Sequence, residues 1–230
     1  MSSFSYQLCS RVVVVMVMVI IVFVLQSTRT LAADFAFPPF SSYDDSVTIE
    51  AIDVPQLYYG LLNDFPHTYE FSVSGTTSVA VRLGVFADTD AQFDKNIIIV
   101  KKNRNGSVSE VKRLNAKDET WQDQYDWASN ESYKAGDVYT VSFFPGDYFM
   151  EVNSPQNLGR YVLLINQPTT SIFSVFSEMS RTYQLKRFLK RPFGSFLFTP
   201  IYGVPLLAII LISLLFWLQK RKKRLVHDAQ

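Results

Sequence analysis

The sequence predicts a mainly β protein: one antiparallel β-sandwich, followed by an amphipathic helix and a single apolar helix near the C-terminal end. Two observations carry this prediction. Between residues 47 and 170, apolar and polar residues alternate in short runs that turn residues separate. After residue 195, this pattern gives way to a continuous apolar stretch that basic residues follow.

The first 33 residues have the features of an export signal. Residues 12–25 are fourteen consecutive apolar residues. As a helix they would extend about 21 Å, which is short of the roughly 30 Å hydrocarbon core of a bilayer. Arg11 precedes the run and small residues follow it at 30–33, as in a cleaved signal peptide. The alternative is an uncleaved signal anchor. Cys9 is the only cysteine, so the predicted domain has no disulfide.

Residues 34–46 are predicted to be a linker or N-terminal arm because prolines and serines interrupt its apolar residues. Residues 47–170 are predicted to form the β domain, with about eight strands. The clearest alternations are Tyr69, Phe71, Val73; Val79, Val81, Leu83, Val85; Tyr139, Val141, Phe143; and Tyr148, Met150, Val152. Short apolar runs at 97–100 and 161–165 predict strands buried on both faces. Two packed antiparallel sheets would bury this many one-sided strands.

The last predicted strands carry two aromatic motifs. Residues 145–148 are Pro-Gly-Asp-Tyr, and residues 159–163 are Gly-Arg-Tyr-Val-Leu. Together with Tyr58-Tyr59-Gly60 and residues 69–73, they resemble bacterial pre-peptidase C-terminal-type β-sandwiches. The resemblance covers roughly residues 47–189. It implies a jelly-roll-like sandwich that serves as an accessory module, and it implies no binding residues. The wider layout, with residues 185–188 before a C-terminal apolar span, resembles an uncharacterised family of membrane-anchored prokaryotic proteins that carry such a domain.

The charge of the chain is distributed unevenly. Residues 34–170 contain 19 acidic and 10 basic side chains, a net charge of −9. Residues 171–230 contain 10 basic and 2 acidic side chains, a net charge of +8. An acidic domain repels phosphate backbones, which excludes nucleic acid as a partner. A basic segment beside an apolar helix favours the head groups of anionic lipids, so a lipid bilayer is the expected partner.

Residues 171–195 are predicted to form a basic amphipathic helix beside the membrane, because apolar residues recur at steps of three and four. In this interpretation the helix lies in the membrane interface, and its basic side chains contact lipid. These residues are Lys186, Arg187, Lys190 and Arg191. The alternative is a helix that packs on the β domain and leaves its basic residues in solvent.

Residues 196–218 are predicted to be a transmembrane helix, because residues 201–218 contain no charge. Tyr202 and Trp217 lie near its two ends, where interfacial aromatic residues are common. The basic tail, 219–230, contains five consecutive cationic residues that are predicted to contact the inner interface: Lys220, Arg221, Lys222, Lys223 and Arg224. We therefore expect a single-pass type I protein. Its ectodomain would lie at the cell surface, in the periplasm or in a lumen, and its C-terminus in the cytoplasm.

Three carboxylates in one predicted loop, Asp88, Asp90 and Asp94, indicate a candidate calcium site, since Ca²⁺ prefers oxygen ligands. Asp44, Asp45 and Asp53 could supply further ligands from other loops. The alternative is a solvated acidic loop, and no other cofactor is expected.

Aromatic residues among carboxylates and amides indicate a candidate binding loop for a sugar or a peptide. They are Trp121, Tyr125, Trp127 and Tyr133. The alternative is that the tryptophans fold back to cover the open end of the sandwich.

Catalysis is not expected. His67, the only histidine of the predicted domain, follows a turn-like segment and is predicted to be exposed. The sequence contains none of the common hydrolase or phosphate-binding motifs. The sequence therefore favours a non-enzymatic, membrane-anchored module that binds a protein or glycan partner. One alternative is an accessory subunit whose transmembrane helix is its interface in a larger complex. Another is a membrane-tethered hydrolase that uses carboxylates.

Overall fold

The computed structural model describes residues 34–86, 93–166 and 175–227, without the side chains of 175–177, 204, 215, 216 and 219–227. The predicted signal peptide therefore lies outside the described residues, as do Asp88 and Asp90 of the candidate calcium loop. The described residues form twelve strands: β1 (Asp34–Ala36), β2 (Ser46–Thr48), β3 (Gln56–Asn63), β4 (His67–Val73), β5 (Thr77–Phe86), β6 (Asn96–Lys102), β7 (Val108–Leu114), β8 (Gln122–Asp126), β9 (Glu131–Ala135), β10 (Tyr139–Phe143), β11 (Gly146–Asn153) and β12 (Leu158–Ile165).

The strands form two sheets, so the prediction of a mainly β fold with two sheets is confirmed. The first sheet has the order β1-β3-β12-β5-β9-β8, with β10 also paired to β5. The second has the order β2-β4-β11-β6-β7. Most neighbours are antiparallel, but β1 pairs parallel to β3 and β2 pairs parallel to β4. Each sheet thus gains an edge strand from the segment before β3.

The main core lies between the two sheets. Side chains of alternating residues point into it, as predicted for β4, β5, β10 and β11. Tyr69, Val81, Phe143 and Met150 all have an exposed fraction of 0%. Full burial of a side chain of this size stabilises the fold by about 1.5–3 kcal/mol relative to exposure. The alternation of the sequence therefore corresponds to the inner faces of the sandwich.

Helix α1 (Val175–Phe188) covers the outer face of the first sheet. Leu185 of this helix packs with Leu57, Val162 and Leu164 in a second apolar cluster. As a result, β12 is buried on both faces from Tyr161 to Ile165, which confirms that prediction. The prediction that residues 97–100 form a strand buried on both faces is confirmed only in part. Residues 98 and 100 are half-buried, and α1 packs on the first sheet, away from β6.

The segment predicted to be a linker, 34–46, participates in this packing. Its first three residues form β1, and its last residue begins β2. Phe37 stacks on Tyr59, with ring centroids 4.7 Å apart, and lies 5.5 Å from the ring of Phe188. The apolar residues of the arm are therefore part of the contact between the first sheet and α1.

Two further helices follow, α2 (Gly194–Leu197) and α3 (Pro200–His227). They include the segment predicted to span a membrane. Across the part of the chain that the structure describes, no helix combines the length and the apolar character that crossing a bilayer requires.

Candidate functional site

The predicted aromatic loop is a β-hairpin at the edge of the first sheet. Strands β8 and β9 pair antiparallel, with Gln124 opposite Tyr133 and Asp126 opposite Glu131. The side chains of β8 are mostly polar, so the sequence carries no period-two apolar signal for this strand. Pairing with β9, which itself pairs with β5, gives the segment its extended conformation.

The structure separates the four predicted aromatic residues into two pairs. Tyr125 and Trp127 lie at the surface, with exposed fractions of 59% and 50%. Tyr133 is half-buried on the α1 side, where its ring centroid is 5.9 Å from that of Phe86. Trp121 donates from its indole nitrogen to the backbone carbonyl of Ala116 at 3.2 Å, so it contributes to packing. The exposed pair is the candidate site.

The turn of the hairpin, residues 127–130, is closed by its own polar groups. Asp126 accepts hydrogen bonds from the backbone N–H of Ala128 at 3.2 Å and from the hydroxyl of Ser129 at 2.8 Å. Tyr125 donates from its hydroxyl to the side-chain oxygen of Asn130 at 2.6 Å. Asn130 has a φ of +55°, a conformation that asparagine tolerates better than most residues. These bonds hold the backbone that carries Trp127.

A buried ionic group joins this turn to α1. The guanidinium of Arg181 lies 2.6 Å from Asp126, 2.7 Å from Glu178 and 2.8 Å from the hydroxyl of Tyr59. Burial raises the pKa of Tyr59 to about 12, so its hydroxyl keeps its proton. Burial alone would also raise the pKa of Asp126, but Arg181 and Ser129 outweigh it and the pKa is lowered. The sequence offers no signal for this group, because Asp126 and Arg181 are 55 positions apart.

A second ionic group joins α1 to the start of β9. Glu131 lies 2.6 Å from the ammonium of Lys186 and 2.8 Å from the guanidinium of Arg191. Lys186 is only 2% exposed. Two of the four basic residues predicted to contact lipid therefore face the β domain, whereas Arg187 and Lys190 are exposed. The side chains of Lys220, Arg221, Lys222, Lys223 and Arg224 lie outside the described part.

Of the three carboxylates in the predicted calcium loop, the structure describes Asp94. Its carboxylate lies 3.6 Å from the ammonium of Lys95, a cation that would compete with Ca²⁺. Asp45 accepts hydrogen bonds from Ser41 and Ser42, and these bonds lower its pKa to about 2. Within the described ranges, no three acidic, histidine or cysteine side chains are grouped as metal ligands. The calcium site stays a prediction.

The prediction that His67 is exposed is wrong. His67 is the first residue of β4 and is 1% exposed. The ring of Phe40 stacks on it at a centroid distance of 3.8 Å, and its Nδ1 lies 2.8 Å from the hydroxyl of Tyr161. That hydroxyl is also 2.8 Å from the hydroxyl of Tyr69. Burial lowers the pKa of His67 to about 4, so the imidazole is neutral at pH 7.

Comparison with known proteins gives structural similarity only. No family model matches the chain, and no curated protein matches its sequence. One similar structure is the pre-peptidase C-terminal domain of a collagenase from Bacillus anthracis, at 12% identity and a TM-score of 0.35. That alignment covers 55% of this chain and 99% of the other. Another is a mitogen derived from Yersinia pseudotuberculosis, at 14% identity and a TM-score of 0.20, covering 48% of this chain and 91% of the other.

One of these structures is a domain of the class that the sequence resembles. At these TM-scores neither similarity identifies a family, so the two-sheet architecture rests on the strand pairing of this chain. Membership of a membrane-anchored prokaryotic family stays a prediction.

Proposed function

We propose that this chain is a non-enzymatic, membrane-anchored module of jelly-roll-like architecture. Its β domain lies outside the cytoplasm, and its β8–β9 hairpin binds a protein or glycan partner. The observation that supports this proposal is the pair of exposed aromatic side chains at the end of this hairpin: Tyr125, on β8, and Trp127, in a turn whose next two residues are buried. Aromatic rings of this kind bury a large area when a sugar ring or an apolar side chain stacks on them.

The rigidity of the turn also supports a role in binding. Ala128 and Ser129, which follow Trp127, are 1% and 0% exposed. On either side of the turn, Asp126 and Glu131 are held by cationic side chains from α1. A partner would therefore meet a surface whose backbone is already ordered. Binding to an ordered surface loses less conformational entropy than binding that must first order a loop.

The proposed attachment to a bilayer rests on the composition of α3 and of the segment before it. Residues 201–218 contain no charged side chain, and five basic residues follow at 220–224. Eight large apolar side chains along this helix are 40–61% exposed: Leu206, Leu207, Ile209, Ile210, Leu211, Leu214, Trp217 and Leu218. A helix surface of this kind favours lipid over water.

A pull-down of the intact chain in mild detergent tests the binding function. Three baits are compared: the wild type, Trp127→Ala and Phe144→Ala. Phe144 is the matched control, because it is 62% exposed but follows β10, on another part of the sandwich. We expect the same partner to be captured by the wild type and by Phe144→Ala and to be lost with Trp127→Ala. Binding of the same three proteins to a glycan array covers the case of a sugar ligand.

A fourth bait, Tyr125→Ala, tests the other exposed ring. If Trp127→Ala and Tyr125→Ala each retained every protein partner and every glycan, the assignment of the hairpin as the binding site would be overturned. Thermal melting of each variant must match that of the wild type, so that a loss of binding does not reflect unfolding. Because Trp127 is 50% exposed, its truncation should change stability little, whereas Tyr125→Ala also removes the hydrogen bond to Asn130.

A second candidate function is that of an accessory subunit whose apolar helix is the interface in a larger membrane complex. The contact between α3 and α1 favours it: the hydroxyl of Tyr202, on α3, donates to the backbone carbonyl of Met179, on α1, and Ile201 is buried. Replacing residues 206–218 with an unrelated apolar span leaves this contact in place. Loss of co-purifying subunits in that variant, with hairpin binding intact, would select this candidate over a simple tether.

A further inference from the structure

The segment around α2 exposes an unusual number of apolar side chains. Phe193 is 81% exposed, Leu197 is 50% exposed and Phe198 is 79% exposed. We call residues 193–198 the ledge. Single exposed apolar residues are common on soluble proteins, but three within six consecutive positions form a patch that indicates a binding surface.

Aromatic and cationic side chains border the ledge. Phe196, within it, lies 5.7 Å from the ring of Tyr183 on α1, and Tyr183 is 47% exposed. The guanidinium of Arg187 lies 5.8 Å from the centroid of the same ring. Arg187 and Lys190 are both exposed, unlike Lys186, which pairs with Glu131. Apolar and aromatic side chains beside exposed cations are typical of surfaces at the lipid head groups.

The ledge is held close to the start of α3. Thr199 donates from its N–H and its hydroxyl to the carbonyl of Phe196, at 3.1 and 2.7 Å. Its own carbonyl accepts from the N–H of Gly203 at 2.7 Å. These bonds, with the contact between Tyr202 and Met179, leave the ledge little freedom to move relative to α3.

The proposed membrane attachment would place the ledge at a definite depth. A helix crosses a hydrocarbon core of roughly 30 Å with about 20 residues. Counting back that many residues from Leu218, beyond which the basic cluster begins, reaches residue 199. The ledge, which ends at Phe198, would then lie at the boundary between hydrocarbon and head groups.

We propose that the ledge inserts into the outer interface of a lipid bilayer, with Arg187 and Lys190 beside anionic head groups. The inference rests on the proposed membrane attachment and adds the surface through which the β domain contacts lipid. The sequence predicted that the basic residues of 171–195 contact lipid, but Lys186 and Arg191 pair with Glu131. We therefore assign the lipid contact to the ledge and to the two exposed cations beside it. The ledge would hold the β domain at a fixed height and tilt.

Depth-dependent fluorescence quenching tests this inference on the full chain. Cys9, the only cysteine, is replaced by serine. Single cysteines are introduced as Phe198→Cys, Phe144→Cys and Leu211→Cys and are labelled with NBD. The proteins are placed in nanodiscs of phosphatidylcholine and phosphatidylserine that contain nitroxide lipids, with the nitroxide either near the head group or deep in the acyl chain.

We expect the label at 198 to emit at shorter wavelength than the label at 144 and to be quenched most by the head-group-level nitroxide. The label at 211 should be quenched most by the deep nitroxide. Phe193→Cys repeats the measurement at a second ledge position that is almost fully exposed, so labelling should not disturb the fold.

If the labels at both 193 and 198 emitted as they do in water and neither nitroxide lipid quenched them, the proposed insertion of the ledge into the bilayer would be overturned. The label at 211 then distinguishes the cause. If it is quenched by the deep nitroxide, the apolar helix is in the bilayer and only the ledge fails. If it is also water-like, the proposed membrane attachment fails too.

Discussion

In the core of the sandwich, Nδ1 of His67 lies 2.8 Å from the hydroxyl oxygen of Tyr161, a residue 94 positions later in the chain. This contact joins the first residue of β4, in the second sheet, to β12, in the first. The imidazole is stacked on Phe40 and is almost fully buried. The structure thus contains a titratable side chain where a proton is costly to accommodate.

His67 should make stability depend on pH. Burial lowers its pKa from 6.5 to about 4. Between these values the unfolded chain binds a proton that the folded chain does not, so stability falls as pH falls from about 6.5 to about 4. The full effect is about 3 kcal/mol at 1.36 kcal/mol per pKa unit.

Thermal melting of the full chain in detergent, at several pH values between 7 and 4, measures this effect. His67→Phe removes the titrating group and keeps a flat ring against Phe40. Carboxylates elsewhere also titrate at low pH, so the difference between wild type and variant is the relevant quantity. A difference that stays constant between pH 7 and 4 would contradict the prediction.

Breaking the buried ion pair at Arg181 should destabilise the fold strongly. Arg181→Met leaves Asp126 and Glu178 buried without their cation, which typically costs about 3–5 kcal/mol. Arg187→Met is the matched control on the same helix, because Arg187 is exposed, and it should cost less than about 1 kcal/mol. Denaturant unfolding of the two variants measures both values. Equal stabilities would argue against the buried pair.

Glu131→Gln should weaken the contact between the hairpin and α1. It removes the carboxylate that lies beside both Lys186 and Arg191, and Lys186 is buried. We expect a loss of about 3–5 kcal/mol, the range for a buried charge that loses its partner. Asp123→Asn alters an exposed ion pair with Lys134 in the same hairpin and should change stability by about 1 kcal/mol or less. Limited proteolysis measures the contact: we expect protease to cleave α1 faster in Glu131→Gln than in Asp123→Asn. Equal cleavage rates would show that the contact between the hairpin and α1 does not depend on Glu131.

Gly60 should not tolerate a larger side chain. It lies opposite Tyr161 in the pairing of β3 with β12, and a Cβ atom there would be 2.2 Å from the tyrosine ring. Gly60→Ala therefore displaces a fully buried side chain, and overpacking of this kind typically costs about 1–3 kcal/mol or more. At Gly75, between β4 and β5, a Cβ atom would meet no heavy atom within 4 Å. Gly75→Ala should thus melt like the wild type, and similar melting of Gly60→Ala would refute the prediction.

Much of the sandwich follows from local sequence pattern. The alternations at Tyr69–Phe71–Val73 and at Tyr148–Met150–Val152 predict β4 and β11, because a strand places successive side chains on opposite faces. The turn residues between the runs predict where strands end. The pattern is weakest for β1, β2 and β8, which are short or polar, and these strands owe their conformation to pairing with a neighbour.

The period-two strands, the acidic domain and the apolar C-terminal stretch can each be predicted from the sequence, because each is a property of adjacent residues. Which polar residues are buried depends on the packing of the folded chain. Lys186 and Arg187 are neighbours in the chain, yet the first pairs with Glu131 and the second is exposed. His67 lies beside a turn-like segment, yet Phe40 and Tyr161 enclose it. Such outcomes depend on partners far away in the chain, and local periodicity carries no information about them.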